Sequence, residues 1–128
     1  MGLLNQPPKM QLLALLVAAT TLITSTNALF IPRNAHVADF RLYSAEGCHD
    51  GNLGVWTVID DDFANGECKG LNGEEPLSLS LTDINKGCTF TAYTDDKCTA
   101  GETNLATGQC FNSADGWQAW SMKCDYKD

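Results

Sequence analysis

Positive charge is scarce in this chain. Its 128 residues carry 8 Lys and Arg against 16 Asp and Glu, a formal net charge of −8. A nucleic-acid binder needs a basic face to displace phosphate counterions, so this balance excludes nucleic acid as the partner. Histidine is nearly absent, with only His36 and His49. The sequence has no P-loop and no Gly-x-Gly-x-x-Gly, and none of its six cysteines forms a Cys-x-x-Cys pair. The first two absences leave no nucleotide cradle. The third disfavours a zinc ribbon or a thioredoxin-type site. The length suits one domain.

What is present begins with a leader. Lys9 is the sole charge before an apolar run from Leu12 to Ala19, continued through Leu22 and Ile23 and followed by Ser25-Thr-Asn-Ala28. A charged start, a short apolar stretch and a small-residue exit predict a secretory signal peptide over residues 1–28. The uninterrupted apolar run is too short to span ~30 Å of hydrocarbon. Cleavage after Ala28 removes Lys9 and no acid, leaving residues 29–128 as a single disulfide-rich domain with net charge −9. No Asn-x-Ser/Thr sequon remains, so N-glycosylation is not expected.

Six cysteines in a secreted chain predict three disulfides. Internal comparison orders them. The stretch Phe40-Arg-Leu-Tyr43-Ser-Ala-Glu-Gly-Cys48-His-Asp-Gly51 aligns with Phe90-Thr-Ala-Tyr93-Thr-Asp-Asp-Lys-Cys98-Thr-Ala-Gly101. Each copy closes on Gly-x-Cys, at Gly66-Glu-Cys68 and Gly108-Gln-Cys110, and then enters an alternating stretch. The repeat units cover about residues 38–82 and 88–124. Two cysteines recur in both copies, so the simplest expectation is a bridge inside each, Cys48–Cys68 and Cys98–Cys110. Cys88 and Cys124 lack counterparts in the first copy, where Ala38 stands for Cys88, and they form the expected third bridge.

The periodicity is that of strands. Leucines alternate with serines over Leu77–Leu81; Cys88, Phe90 and Ala92 share a face, as do Trp120, Met122 and Cys124. Val55–Ile59 is a β-branched and aromatic run, and turns rich in Gly, Asn and Asp separate the segments. Two copies of about four short strands predict an all-β fold, a small disulfide-stapled β-sandwich of two repeated Greek-key units.

The paired units, each opening on an aromatic-x-x-Tyr strand and a turn ending in Gly, resemble βγ-crystallin-like Greek-key motifs. The second half reads Cys88-x-Phe90-x-x-Tyr93-Thr94-Asp95-x-x-Cys98-x-x-Gly101, then Gly108-x-Cys110, then Trp117-x-x-Trp120-Ser121-x-x-Cys124. In this it is similar to small cysteine-rich secreted proteins of filamentous fungi. The resemblance covers about residues 38 to 124. It implies action outside the cell, as an effector on a host, a toxin against competitors or an inhibitor. It also implies a calcium loop of the form [ND][ND]-x-x-[ST]-Ser. The matching positions are Asp61-Asp62-Phe-Ala-Asn65-Gly66 and Thr103-Asn104-Leu-Ala-Thr107-Gly108, and neither ends in Ser. Asp61 and Asp62 are the calcium candidates. Calcium wants six or more oxygens, and a solvated acidic turn accounts for these residues as well, so no metal or other cofactor is expected.

No nucleophile, base and orienting group can be assembled, so the expectation is a protein without catalytic residues. His49 adjoins Asp50, but neighbours on an extended chain face opposite sides. The pairs Glu74-Glu75 and Asp95-Asp96 could in principle serve glycoside hydrolysis; acidic turns are the commoner explanation. Trp120 falls in an alternating strand and should be core. Trp56 and Trp117 sit beside turns: exposed, they would stack on a sugar or anchor a protein contact; buried, they cap the core, which the usual burial of Trp favours.

These readings predict a secreted, extracellular, monomeric, non-enzymatic effector-like protein that binds a host or competitor protein or glycan. One alternative is an antimicrobial or killer-toxin-like protein, against which the acidity counts, because membrane-active toxins use basic patches. The other is an inhibitor of a secreted hydrolase, presenting the loop Gly101 to Gly108.

Overall fold

The computed structural model describes residues 35–127; the expected signal peptide, residues 1–28, lies outside them. Eight strands run in order: β1 (His36–Tyr43), β2 (Asn52–Ile59), β3 (Lys69–Gly70), β4 (Ser78–Ile84), β5 (Cys88–Tyr93), β6 (Thr103–Leu105), β7 (Cys110–Asn112) and β8 (Ala119–Cys124). They form two four-stranded antiparallel sheets, β2-β1-β4-β7 and β3-β8-β5-β6. No helix among the described residues is long and apolar enough to cross a membrane.

The two halves correspond strand for strand, and each lends its third strand to the other's sheet. β7 pairs with β4 of the first half, and β3 pairs with β8 of the second. Registers agree across the correspondence: Phe40 faces Leu81 and Phe90 faces Met122. Gly66 N donates to Met122 O, as Gly108 N does to Leu81 O. The repeat seen in the chain is therefore a repeat in space.

This exchange corrects two of the expected disulfides. The bridges are Cys48–Cys110, Cys68–Cys98 and Cys88–Cys124; the expected Cys48–Cys68 and Cys98–Cys110 do not form. Cys68 enters β3 and Cys110 opens β7, so each travels to the opposite sheet and meets the turn cysteine of the other copy. Both crossed bridges have Cα atoms 5.8 Å apart. Their pattern keeps the internal symmetry, because each joins the turn cysteine of one half to the Gly-x-Cys of the other. The third bridge, the expected one, ties directly opposed residues of β5 and β8.

The core lies between the sheets. Phe40 and Phe90, equivalent in the two copies, meet with ring centroids 4.9 Å apart, and Trp120 stacks on Phe90 at 5.6 Å. Leu42, Leu79, Leu81, Val58 and Met122 close around them, all essentially inaccessible to solvent. Burying a side chain of this size contributes roughly 1.5–3 kcal/mol. A domain of about 100 residues has only a modest core, so three bridges add materially to it.

The turns that follow β1 and β5 are equivalent but are held from different places. In the first, Ser78 Oγ accepts from Cys48 N at 3.0 Å and donates to Ala45 O at 2.6 Å. In the second, Ala119 stands opposite Tyr93 where Ser78 stands opposite Tyr43. There the Asp95 carboxylate takes over, accepting from Thr99 N (2.9 Å), Ala100 N (3.0 Å) and the Thr99 hydroxyl. Ser78 is thus fully buried under its turn, where alternation alone would place a serine facing solvent. Both turns end on a glycine in the left-handed region. A Cβ on Gly51 (φ +69°) would lie 1.9 Å from Ser44 Oγ, and one on Gly101 (φ +65°) 2.4 Å from Thr94 Oγ1.

Candidate functional site

Most residues singled out in the sequence prove to be structural. Trp117 is 3% exposed, and its Nε1 donates to Phe111 O at 3.0 Å. It belongs to the β7–β8 connection and is buried with its ring N–H spent on the β7 backbone, so it presents no exposed ring for binding. Trp56 is half-buried with its ring 5.5 Å from that of Phe40. It belongs to the inward face of β2, with Val58, and extends the aromatic core.

The calcium candidates sit in a 3-10 turn, Asp60–Asp62. Asp62 Oδ2 accepts from Ile59 N at 2.9 Å, and Asp61 is exposed. The matching Asn65 is fully engaged, its Oδ1 accepting from Cys124 N and its Nδ2 donating to Cys124 O and Lys127 O. The cation found here is Lys127, whose Nζ donates to Asp60 O, lies 3.4 Å from Asp60 Oδ1 and sits over the Phe63 ring. In the second copy Asn104 Oδ1 accepts from the Thr91 hydroxyl at 2.7 Å. Asn65 Oδ1, Asn104 Oδ1 and one oxygen of Asp62 are thus committed to the fold, while the Asp61 carboxylate faces solvent.

His49 and Asp50 lie in the first turn rather than on extended chain, so they do meet, Nδ1 to Oδ2 at 3.3 Å; both are largely exposed. Of the acidic pairs, Asp95 is consumed by its own turn. These hydrogen bonds, led by the Thr99 hydroxyl, lower its pKa to about 2. Asp96 instead joins Glu74 and Glu75 around a recess of about 420 Å³ beside β3. The segment Gly101 to Gly108 carries β6, the edge strand on β5, and reaches the first sheet at Gly108, whose N donates to Leu81 O.

Two arrangements were not foreseen. The outward face of the second sheet forms a shallow recess of about 240 Å³, lined by Thr89, Thr91, Tyr93, Asn104, Ser121 and Lys123 among others. Its hydroxyl and amide groups present donors and acceptors at strand spacing; Tyr93 Oη and Ser121 Oγ lie 3.1 Å apart. The other arrangement is on the first sheet, where His36, Asp39 and Asp83 bring one donor atom each to within 4.8 Å of one another. His36 Nε2 lies 2.9 Å from Asp39 Oδ2, and the Thr57 hydroxyl donates to Asp39 Oδ1 at 2.7 Å. The Asp39 carboxyl is held below its ordinary pKa, first by the Thr57 hydroxyl and then by His36, against the opposing effect of burial.

Strict alternation would hide this second cluster. Ala38, Phe40 and Leu42 point inward on β1, and Leu79 and Leu81 do so on β4, so parity would send both His36 and Asp83 into the core. The ladder slips by one residue at Val37 in β1 and at Thr82 in β4. Each slip flips the residue beyond it to the outer face, where Asp39 already lies. Bulges of this kind re-aim side chains, and the visible signal is the adjacent apolar pair Val37-Ala38 with His36 just outside it. No protein-family description, curated protein or solved structure matches the chain. It stands as a small cysteine-rich, three-disulfide, all-β protein.

Proposed function

We propose that this is a secreted, non-enzymatic, effector-like protein that binds a polar extracellular component of a host or competitor. In this reading its scaffold is a βγ-crystallin-like pair of Greek-key motifs that exchange their third strands. Three disulfides in so small a domain are consistent with an oxidising, extracellular setting. The observation that carries the binding reading is the outward face of β5, β6 and β8. Its hydroxyls, the Asn104 amide and the Lys123 ammonium line a recess on a rigid sheet. Convergent polar groups on a preorganised surface suit a glycan or a polar protein segment, since little conformational entropy is lost on binding.

The test is to express the secreted chain in plant leaf tissue and score immune suppression or cell death. The same chain is applied in parallel to competing microbes. A host response that falls when Thr91 and Tyr93 are replaced by alanine supports the reading. Microbial growth inhibition without any host response supports the toxin alternative and overturns it.

A further inference from the structure

We propose that His36, Asp39 and Asp83 form a binding site for one divalent transition-metal ion, with zinc as its representative, on the outer face of the first sheet. The proposal is independent of the recess on the second sheet and of the acidic turn at Asp60–Asp62.

Three observations carry it. First, the donor set is mixed: one imidazole nitrogen and two carboxylates, drawn from the adjacent strands β1 and β4. Imidazole with carboxylate suits zinc and its neighbours, whereas calcium and magnesium take oxygen. Second, two independent one-residue slips, at Val37 and Thr82, are needed to bring His36 and Asp83 to the face that holds Asp39. Third, Asp39 and Asp83 stand directly opposite each other in the β1–β4 ladder. Like charges in that position repel, and among the described residues no Lys or Arg forms an ion pair with either. A bound dication would relieve that repulsion.

The site is also partly preorganised. The Thr57 hydroxyl orients Asp39, the arrangement by which outer groups aim metal ligands. The backbone at His36 is pinned by Asn85, whose Nδ2 donates to His36 O at 2.7 Å. Zinc ligands at about 2.0–2.1 Å stand roughly 3.3 Å from one another in a tetrahedral set. The donors here span 4.8 Å at most, and Asp83 is exposed, so rotation of its side chain closes the difference. Three protein ligands leave a fourth position for water or for a donor from a partner.

The test is calorimetric titration of the folded, oxidised chain with zinc chloride, and separately with calcium chloride. We expect one zinc per chain. His36→Gln and Asp83→Asn should each weaken binding at least tenfold or so, and Thr57→Val should weaken it by about tenfold. His49→Gln should leave it unchanged. All these side chains are exposed, and near-ultraviolet circular dichroism checks that the variants fold. Should one be disturbed, amide and imidazole chemical shifts of the unsubstituted chain decide, because zinc must move His36, Asp39 and Asp83 first. Absence of saturable zinc binding overturns the proposal, as does binding that survives His36→Gln or disappears with His49→Gln. Tighter binding of calcium than of zinc overturns it as well.

Discussion

Replacing Ser78 with alanine tests whether a single buried hydroxyl holds the first turn. Ser78 is fully buried and its Oγ bridges two backbone groups, accepting from Cys48 N and donating to Ala45 O. Each hydrogen bond contributes about 1 kcal/mol net, and leaving a half-buried N–H and carbonyl without partners adds to the loss. The expected cost is about 2–3 kcal/mol. For a domain of this size that corresponds to a fall in Tm of roughly 10–20 °C. The Cys48–Cys110 bridge keeps the turn tethered, which bounds the damage. Urea unfolding with the disulfides intact measures it, with the slope unchanged because the surface exposed is the same. The second turn supplies an internal control, since it is held by Asp95 with alanine at the position equivalent to Ser78. Adding Ala45→Asp to Ser78→Ala should transplant that device and recover about 1 kcal/mol. A cost below about 0.5 kcal/mol for Ser78→Ala would refute the reasoning.

Further outcomes concern the bridges and Asp95. Removing Cys68 and Cys98 together should cost about 3.6 kcal/mol on the chain-entropy model, and removing Cys48 and Cys110 about 4.3, from sequence separations of 30 and 62 residues. Non-reducing peptide mapping should recover the crossed pairs, and fragments joining Cys48 to Cys68 would contradict the strand exchange. Asp95 should titrate near pH 2 by carboxyl NMR, below the ordinary aspartate value of about 3.9. Because the folded value is depressed, its stabilisation is fully present above pH ~4 and fades as pH falls toward 2. Thr99→Val should bring the titration back up, since the hydroxyl is the leading cause.

Much of the fold was legible because the relevant signals are local. The two-residue alternation at Leu77–Leu81 and at Trp120–Cys124, and the glycine-terminated turns, mark strands and turns without reference to the rest of the chain. Repetition of Phe-x-x-Tyr and Gly-x-Cys likewise exposed the two-part build. The pairing of Cys88 with Cys124 followed from their joint absence in the first copy and from the alternation that sets them on facing strands. The site residues were less legible. Trp117 lies in a loop, where sequence position does not say whether the ring is covered, and Trp56 reads as turn-adjacent although β2 extends past it on both sides. His36 and Asp83 were obscured by the two slips, because alternation is informative only while the ladder stays in register.

The sequence by itself determined an acidic, cysteine-rich, all-β chain in two related halves, since composition and short-range period carry that information. Only the tertiary structure decided which halves are stapled together and which donors converge. Exchange of β3 and β7 between sheets depends on packing between segments far apart in the chain. That exchange sends Cys68 to Cys98 and Cys110 to Cys48. In the same way, the convergence of His36 on Asp39 and Asp83 requires a residue slip in each of two strands, and such slips exist only once the strands have paired.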